Sequence, residues 1–223
     1  QYGVPMITPS STNPDVTRVG DMIFRVCFID PFQGFACAKF TRENLKMDQV
    51  AVLFDRAGAY SVGLKDEFIK AFEGMGGKIT STQAYNEGDS DFKAQLTRIR
   101  ETKPQAIFVP GYYTEVANIA LQSRQLGMDI PLIGGDGWDS EDLPKNAGKA
   151  IEGSFYSNHY ASDQPTKEIQ DFVMAYRADF GGSTPDGRSL LAGDGHLQLS
   201  VPALFWQVGI DTAFLSEGAD DTT

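Results

Sequence analysis

Asp136 stands in the turn-forming stretch Gly134-Gly135-Asp136-Gly137, and Asp139, Glu141 and Asp142 follow closely. Carboxylates at this density can hold a hard cation with oxygen ligands. The alternative is an acidic loop that is solvated and caps the next helix. The two histidines are His159, in Ser157-Asn158-His159-Tyr160, and His196, in Asp194-Gly195-His196. The spacing of Asp194 and His196 offers two metal ligands. Each histidine has a plainer reading as a surface residue. Cys27 and Cys37 are the only cysteines. They are too few, and too far from histidine, for a cysteine-based zinc site. Two buried thiols and a disulfide in an oxidising compartment both remain open. No G-x-S-x-G elbow, Walker A loop or H-E-x-x-H pair is present.

These residues need a scaffold, and the chain supplies one. At 223 residues, with 41% hydrophobic and 22% charged residues, it is not a wholly disordered chain. The formal net charge of -11 argues against a nucleic-acid partner, which needs clustered Lys and Arg. No apolar run approaches the roughly 20 residues of a membrane span. The first residues lack a basic n-region and a long apolar h-region. The expectation is a mature or truncated product without a signal peptide.

From residue 50 a strand–helix beat sets in. Apolar runs at 50–54, 106–109 and 131–134 read as buried strands, and 78–84 alternates as a half-buried one. Between them, helical stripes are carried by Leu64, Phe68 and Phe72, by Phe92, Leu96 and Ile99, and by Val116, Ile119 and Ala120. A short acidic helix at 140–145, a strand at 151–157 and a helix at 168–180 complete the series. Even spacing of this kind predicts an α/β fold with a doubly wound, mostly parallel sheet. Ligands of such sheets sit beyond the carboxyl ends of the strands. The loops at 55–60, 110–113 and 135–139 therefore matter most, and they carry Tyr60, Tyr112 and Asp136. Tyr113 adjoins Tyr112, so one of the two belongs to the core; Tyr112 is the one expected in the crevice.

The segment 1–47 holds one strand (22–28), one helix (32–45) and a polar turn. It is too small for its own core and reads as the remnant of a first, partial lobe. Residues 48–187 read as a complete second lobe. The tail 188–223 loses the beat. Leu197, Leu199, Val201, Leu204, Phe205 and Trp206 could form a docked helix, with Pro202 in its first turn.

Several loops together carry a resemblance. Ile7-Thr8-Pro9-Ser10-Ser11-Thr12-Asn13-Pro14, Phe24-Arg25-Val26, Tyr60-Ser61-Val62-Gly63, Pro110-Gly111-Tyr112-Tyr113 and Gly134-Gly135-Asp136-Gly137 resemble type I periplasmic binding proteins. The likeness is to the branched-chain amino-acid binding proteins of ABC importers, and it runs from about residue 2 to 187. It implies two α/β lobes closing on an amino acid, without catalysis or cofactor. It implies an ABC permease as partner and an extracytoplasmic location for the parent protein. It implies that the Ser10 backbone and Thr12 hydroxyl hold a ligand carboxylate, that Tyr60 and Tyr112 line the far wall, and that Asp136 pairs with the ligand ammonium. The residues agree with this. Asp136 can form a charge-assisted hydrogen bond in a partly dry cleft, the Ser10-Ser11 turn offers backbone N–H groups, and Trp138 is placed to wall the pocket.

The chain departs from the family in length and in its tail, which is not recognisable as family sequence from 193 onward. A frameshifted or fused end is one explanation. The incomplete first lobe leaves apolar surface exposed, so a homodimer is expected, with exchanged N-terminal segments or the Leu199 to Trp206 stripe as glue. Two other functions compete with solute binding: a metal-dependent hydrolase using His159, His196 and Asp194 in the half-open cleft, and a ligand-free sensor lobe. The sequence leaves the ligand's side chain open.

Overall fold

The computed structural model describes residues 4–161, 164–180 and 204–205. Two short strands come first. β1 (Met6–Thr8) and β2 (Ile23–Arg25) pair in parallel as a separate two-stranded sheet. β1 was not expected from the sequence, since three residues are too few for a period to show. The loop between them contains the 3-10 turn Pro14–Val19, started by Asn13, whose side chain accepts from the Asp15 N–H. Arg25 holds this loop. Its guanidinium donates to the carbonyls of Thr12, Asn13 and Pro14 at 2.9, 2.8 and 3.3 Å.

α1 (Asp30–Lys39) follows and runs on through a π-helical turn at Phe40–Asn44. Then come β3 (Gln49–Asp55), α2 (Ala59–Gly74), β4 (Lys78–Tyr85), α3 (Lys93–Glu101), β5 (Ala106–Val109), α4 (Tyr113–Gln125), β6 (Leu132–Gly134), α5 (Asp142–Ala147), β7 (Phe155–Asn158) and α6 (Lys167–Phe180). The main sheet has the order β4-β3-β5-β6-β7, all parallel, and β8 (Leu204–Phe205) adds an antiparallel pair at the β7 edge. The two described residues of the tail are thus a strand. Pairing there satisfies backbone groups that an open β7 edge would leave unpaired. The other residues of the expected 197–206 helix lie outside the described residues.

The doubly wound arrangement follows from the strand sequences. β3 and β5 are apolar at nearly every position because both faces are covered. Ala51, Leu53, Ile107 and Val109 enter one core with Phe92, Leu96, Ile99, Val116 and Ile119. Val50, Val52, Ala106 and Phe108 enter the other with Leu64, Phe68 and Phe72. Phe68 stacks on Phe108 at 3.8 Å between centroids. α2 ends where Gly76 takes φ 78, the left-handed conformation that glycine adopts freely.

Two expectations shift. β7 is shorter than 151–157, because Gly148–Ile151 forms a 3-10 turn and Gly153 turns the chain at φ 74 before the strand begins. The helix grouped with segment 1–47 packs on the main sheet: Cys37 and Ala38 are buried in the same core as Val50 and Phe68. Gly34 permits this. A Cβ there would lie 2.8 Å from the backbone N of Phe68 in α2. Among the described residues no helix is long and apolar enough to cross a membrane.

Candidate functional site

β4 and β5 lie on opposite sides of β3. A parallel sheet with this order opens a crevice beyond the carboxyl ends of the strands at that reversal. β3 leads into the first turn of α2, which carries Tyr60. β5 leads to Tyr112, the residue before α4. β6 leads into the 3-10 turn Asp136–Trp138. These three loops bring Tyr60, Tyr112 and Asp136 together. The Tyr60 and Tyr112 rings lie 5.4 Å apart, and the Tyr60 hydroxyl donates to Asp136 Oδ1 at 2.8 Å. Tyr112 is 51% exposed. Tyr113 packs against the core beneath it.

Asp136 is the centre of the polar network. Gln33 Nε2 donates to Oδ1 at 2.8 Å and also to Ser157 Oγ at 2.8 Å. His159 Nε2 lies 3.2 Å from Oδ2, and its ring stacks on Phe28 at 4.2 Å. The backbone N–H of Gly137 donates to the Tyr60 hydroxyl at 3.2 Å. Burial, and then the Asp136 charge, push the Tyr60 phenol well above its usual range, so it stays a neutral donor. Glycine is required at 137. A Cβ there would meet the Gly111 carbonyl at 2.8 Å and the Tyr112 ring at 3.1 Å.

The N-terminal loop supplies the other wall. Asn13 Nδ2 donates to the Ala59 carbonyl at 3.1 Å, which ties the loop to α2 one residue before Tyr60. Ser10 is half-buried and Thr12 is buried. The Ser11 N–H is already used, donating to Thr8 Oγ1 at 3.1 Å. The Thr12 hydroxyl has no hydrogen-bond partner, and neither carboxyl oxygen of the neighbouring Asp30 has one. The Asp30 N–H donates to the Thr12 carbonyl at 3.0 Å. Burial raises the Asp30 carboxyl to about 6, with the Thr12 hydroxyl pulling the other way.

Trp138 does not wall the cleft. It is 1% exposed, its Nε1 donates to the Val109 carbonyl at 3.0 Å, and its ring lies in the space a Cβ on Gly134 would need. The metal readings find no geometry. His159 is engaged with Asp136 and Phe28. Asp139 accepts from the Tyr156 hydroxyl at 3.4 Å, and Glu141 and Asp142 pair with Lys145 at 3.2 and 3.6 Å. Among the described residues no group of three His, Cys, Asp or Glu could hold a metal ion. Asp194 and His196 lie outside the described residues. Cys27 and Cys37 are both free thiols, raised by burial to about 11 and about 12.

Gln33, Asp30 and Arg25 are site residues that the sequence reading missed. A signal for the first two exists: Asp30 and Gln33 are polar and three apart on a helix whose next buried positions are Gly34, Ala36, Cys37 and Ala38.

Comparison with known proteins adds the relatives. The sequence profile of the periplasmic binding protein family matches residues 1–200, which reaches into the 188–223 segment. A leucine-, isoleucine-, valine-, threonine- and alanine-binding protein of Pseudomonas aeruginosa is 34% identical over 183 residues, covering 81% of this chain and 49% of its own length. A Leu/Ile/Val-binding protein of Rhizobium johnstonii is 35% identical over 164 residues, covering 73% of this chain and 44% of its own. Among solved structures, a leucine-binding protein from Thermotoga maritima superposes with TM-score 0.72 at 42% identity, covering 80% of this chain and 51% of that one. A branched-chain amino acid transporter substrate-binding protein from Streptococcus pneumoniae, in complex with isoleucine, superposes with TM-score 0.72 at 31% identity, with the same coverage. The chain spans about half the length of the curated relatives it matches.

Proposed function

The chain belongs to the periplasmic binding protein family, and from that premise we propose that it carries one wall of a binding site for a branched-chain aliphatic amino acid. In this reading the parent protein works outside the cytoplasm and delivers its ligand to an ABC permease. Asp136 receives the ligand's ammonium group, Tyr60 and Tyr112 cover its side chain, and Ser10 and Thr12 form the opposite wall. The observation that carries the reading is Asp136, held by Gln33, Tyr60 and His159 at the carboxyl ends of the parallel strands. A mostly enclosed carboxylate so oriented, its side chain 10% exposed, suits a cationic group, and the aromatic pair beside it suits an apolar side chain. The names of the relatives agree with that ligand chemistry. No observation favours a hydrolase.

A further proposal concerns the free chain. Val4, Ile7, Val19 and Phe24 are exposed on or beside the two-stranded β1–β2 sheet, a concentration of apolar surface unmatched elsewhere among the described residues. Exposed apolar patches mark interaction surfaces. We propose that the 223-residue chain pairs with a second copy through this sheet. The test of the function is thermal unfolding of the chain with leucine, isoleucine and valine against aspartate and lysine as controls. Stabilisation by the aliphatic set alone supports the reading, and stabilisation by none of them overturns it.

A further inference from the structure

Asp30 is 1% exposed, and its two carboxyl oxygens and the Thr12 hydroxyl beside it make no hydrogen bond of normal length, although the hydroxyl still favours the ionised acid. A buried carboxylate without partners is costly to keep charged, and native structures seldom hold such a group without a use for it. Its surroundings explain the use. Gly63 leaves room for it: a Cβ there would lie 2.9 Å from Asp30 Oδ2. The charged groups that face it are Arg25 on β2, Glu67 on α2 and Asp136 beyond β6, the last with His159 against it. Asp30 also acts electrostatically on Tyr112 and Cys27. Two carboxyl groups therefore act on one crevice, and Arg25 is occupied with the loop carbonyls of Thr12, Asn13 and Pro14.

We propose that Asp30 is a second, proton-exchanging acid of the amino-acid site: protonated in the empty cleft, it ionises when the ligand's ammonium group enters beside it, so that capture of the ligand releases a proton to solvent. The inference rests on the amino-acid reading above. It balances simply, since the ammonium charge replaces the departing proton. The raised carboxyl of Asp30, near 6, places the exchange in mildly acidic solution.

The experiment is calorimetric titration of the full chain with L-leucine in two buffers of different ionisation enthalpy, at pH 5 and pH 8. The expected result is about one proton released per leucine at pH 5 and about none at pH 8. Asp30→Asn abolishes the release at pH 5 and weakens binding at pH 8 by about tenfold or more, as loss of a contact to a charged group does. Thr12→Val, which removes the hydroxyl that favours the ionised acid, moves the release to higher pH. A purely structural aspartate would move neither. Heats that do not depend on buffer at pH 5 overturn the proposal and leave the amino-acid reading standing. Release that persists in Asp30→Asn assigns the proton to another group and also overturns it. Failure of leucine, isoleucine and valine to bind at either pH overturns the reading and this proposal together.

Discussion

Asp136→Asn preserves the shape of the site and removes its charge. A hydrogen bond to a charged group contributes about 1.5–3 kcal/mol, so the variant is expected to bind leucine roughly 10- to 100-fold more weakly, measured by calorimetry at pH 8. Asp30 gives a prediction that needs no ligand. Its carboxyl is raised from 3.8 to about 6 in the folded chain. The folded state thus holds a proton over a pH range where the unfolded state has lost it. The stability this contributes is full below 3.8 and is lost as pH rises through about 6. Asp30→Asn lacks this term. It is expected to be more stable than the native chain at pH 7.5, and its advantage is expected to narrow by about 2 kcal/mol at pH 4.5. Urea unfolding at the two pH values measures both. The convergence of Tyr60, Tyr112 and Asp136 was legible in the sequence because each follows a strand whose apolar run is unambiguous. Gln33 and His159 were not legible as partners of Asp136: Gln33 is 103 positions away, and its role appears only once α1 packs beside β7.

At the scale of elements, β3 and β5 were read correctly because both faces are buried and the runs are continuous. β4 was readable by alternation, and it is an edge strand whose residues are mostly half-buried. β1, with three residues, carries no period, and the 3-10 turn before β7 disguises where that strand begins. α1 shows what sequence adjacency conceals. It follows the N-terminal sheet in the chain, yet Cys37 and Ala38 lie in the core with Phe68 and Phe72. The contact depends on Gly34, where a Cβ would lie 2.8 Å from both the Glu67 Cβ and the Phe68 backbone N. Gly34→Val is expected to separate the two helices at a cost of about 2 kcal/mol or more, seen as a lowered urea midpoint. Because Gln33 precedes it, leucine affinity is expected to fall as well.

For the whole molecule, the main sheet with helices on both faces forms a packed body, and β1–β2 stands beside it with exposed Ile7 and Phe24. Light scattering of the chain is expected to report a dimer, and Ile7→Lys with Phe24→Lys is expected to shift it to monomer. A native chain that runs as a clean monomer contradicts the pairing. The net charge of -11 does not oppose a zwitterionic ligand, whose own net charge is zero. The central claim is that the crevice around Asp136 binds an aliphatic amino acid. Its most direct test is the melting temperature of the chain with each amino acid in excess. At 100 times Kd a ligand adds about 2.7 kcal/mol, a rise of roughly 5–11 °C for a chain of this size. The account predicts that rise with leucine, isoleucine or valine, and its loss in Asp136→Asn. An unchanged melting temperature with all three, or a rise that survives in Asp136→Asn, would contradict it.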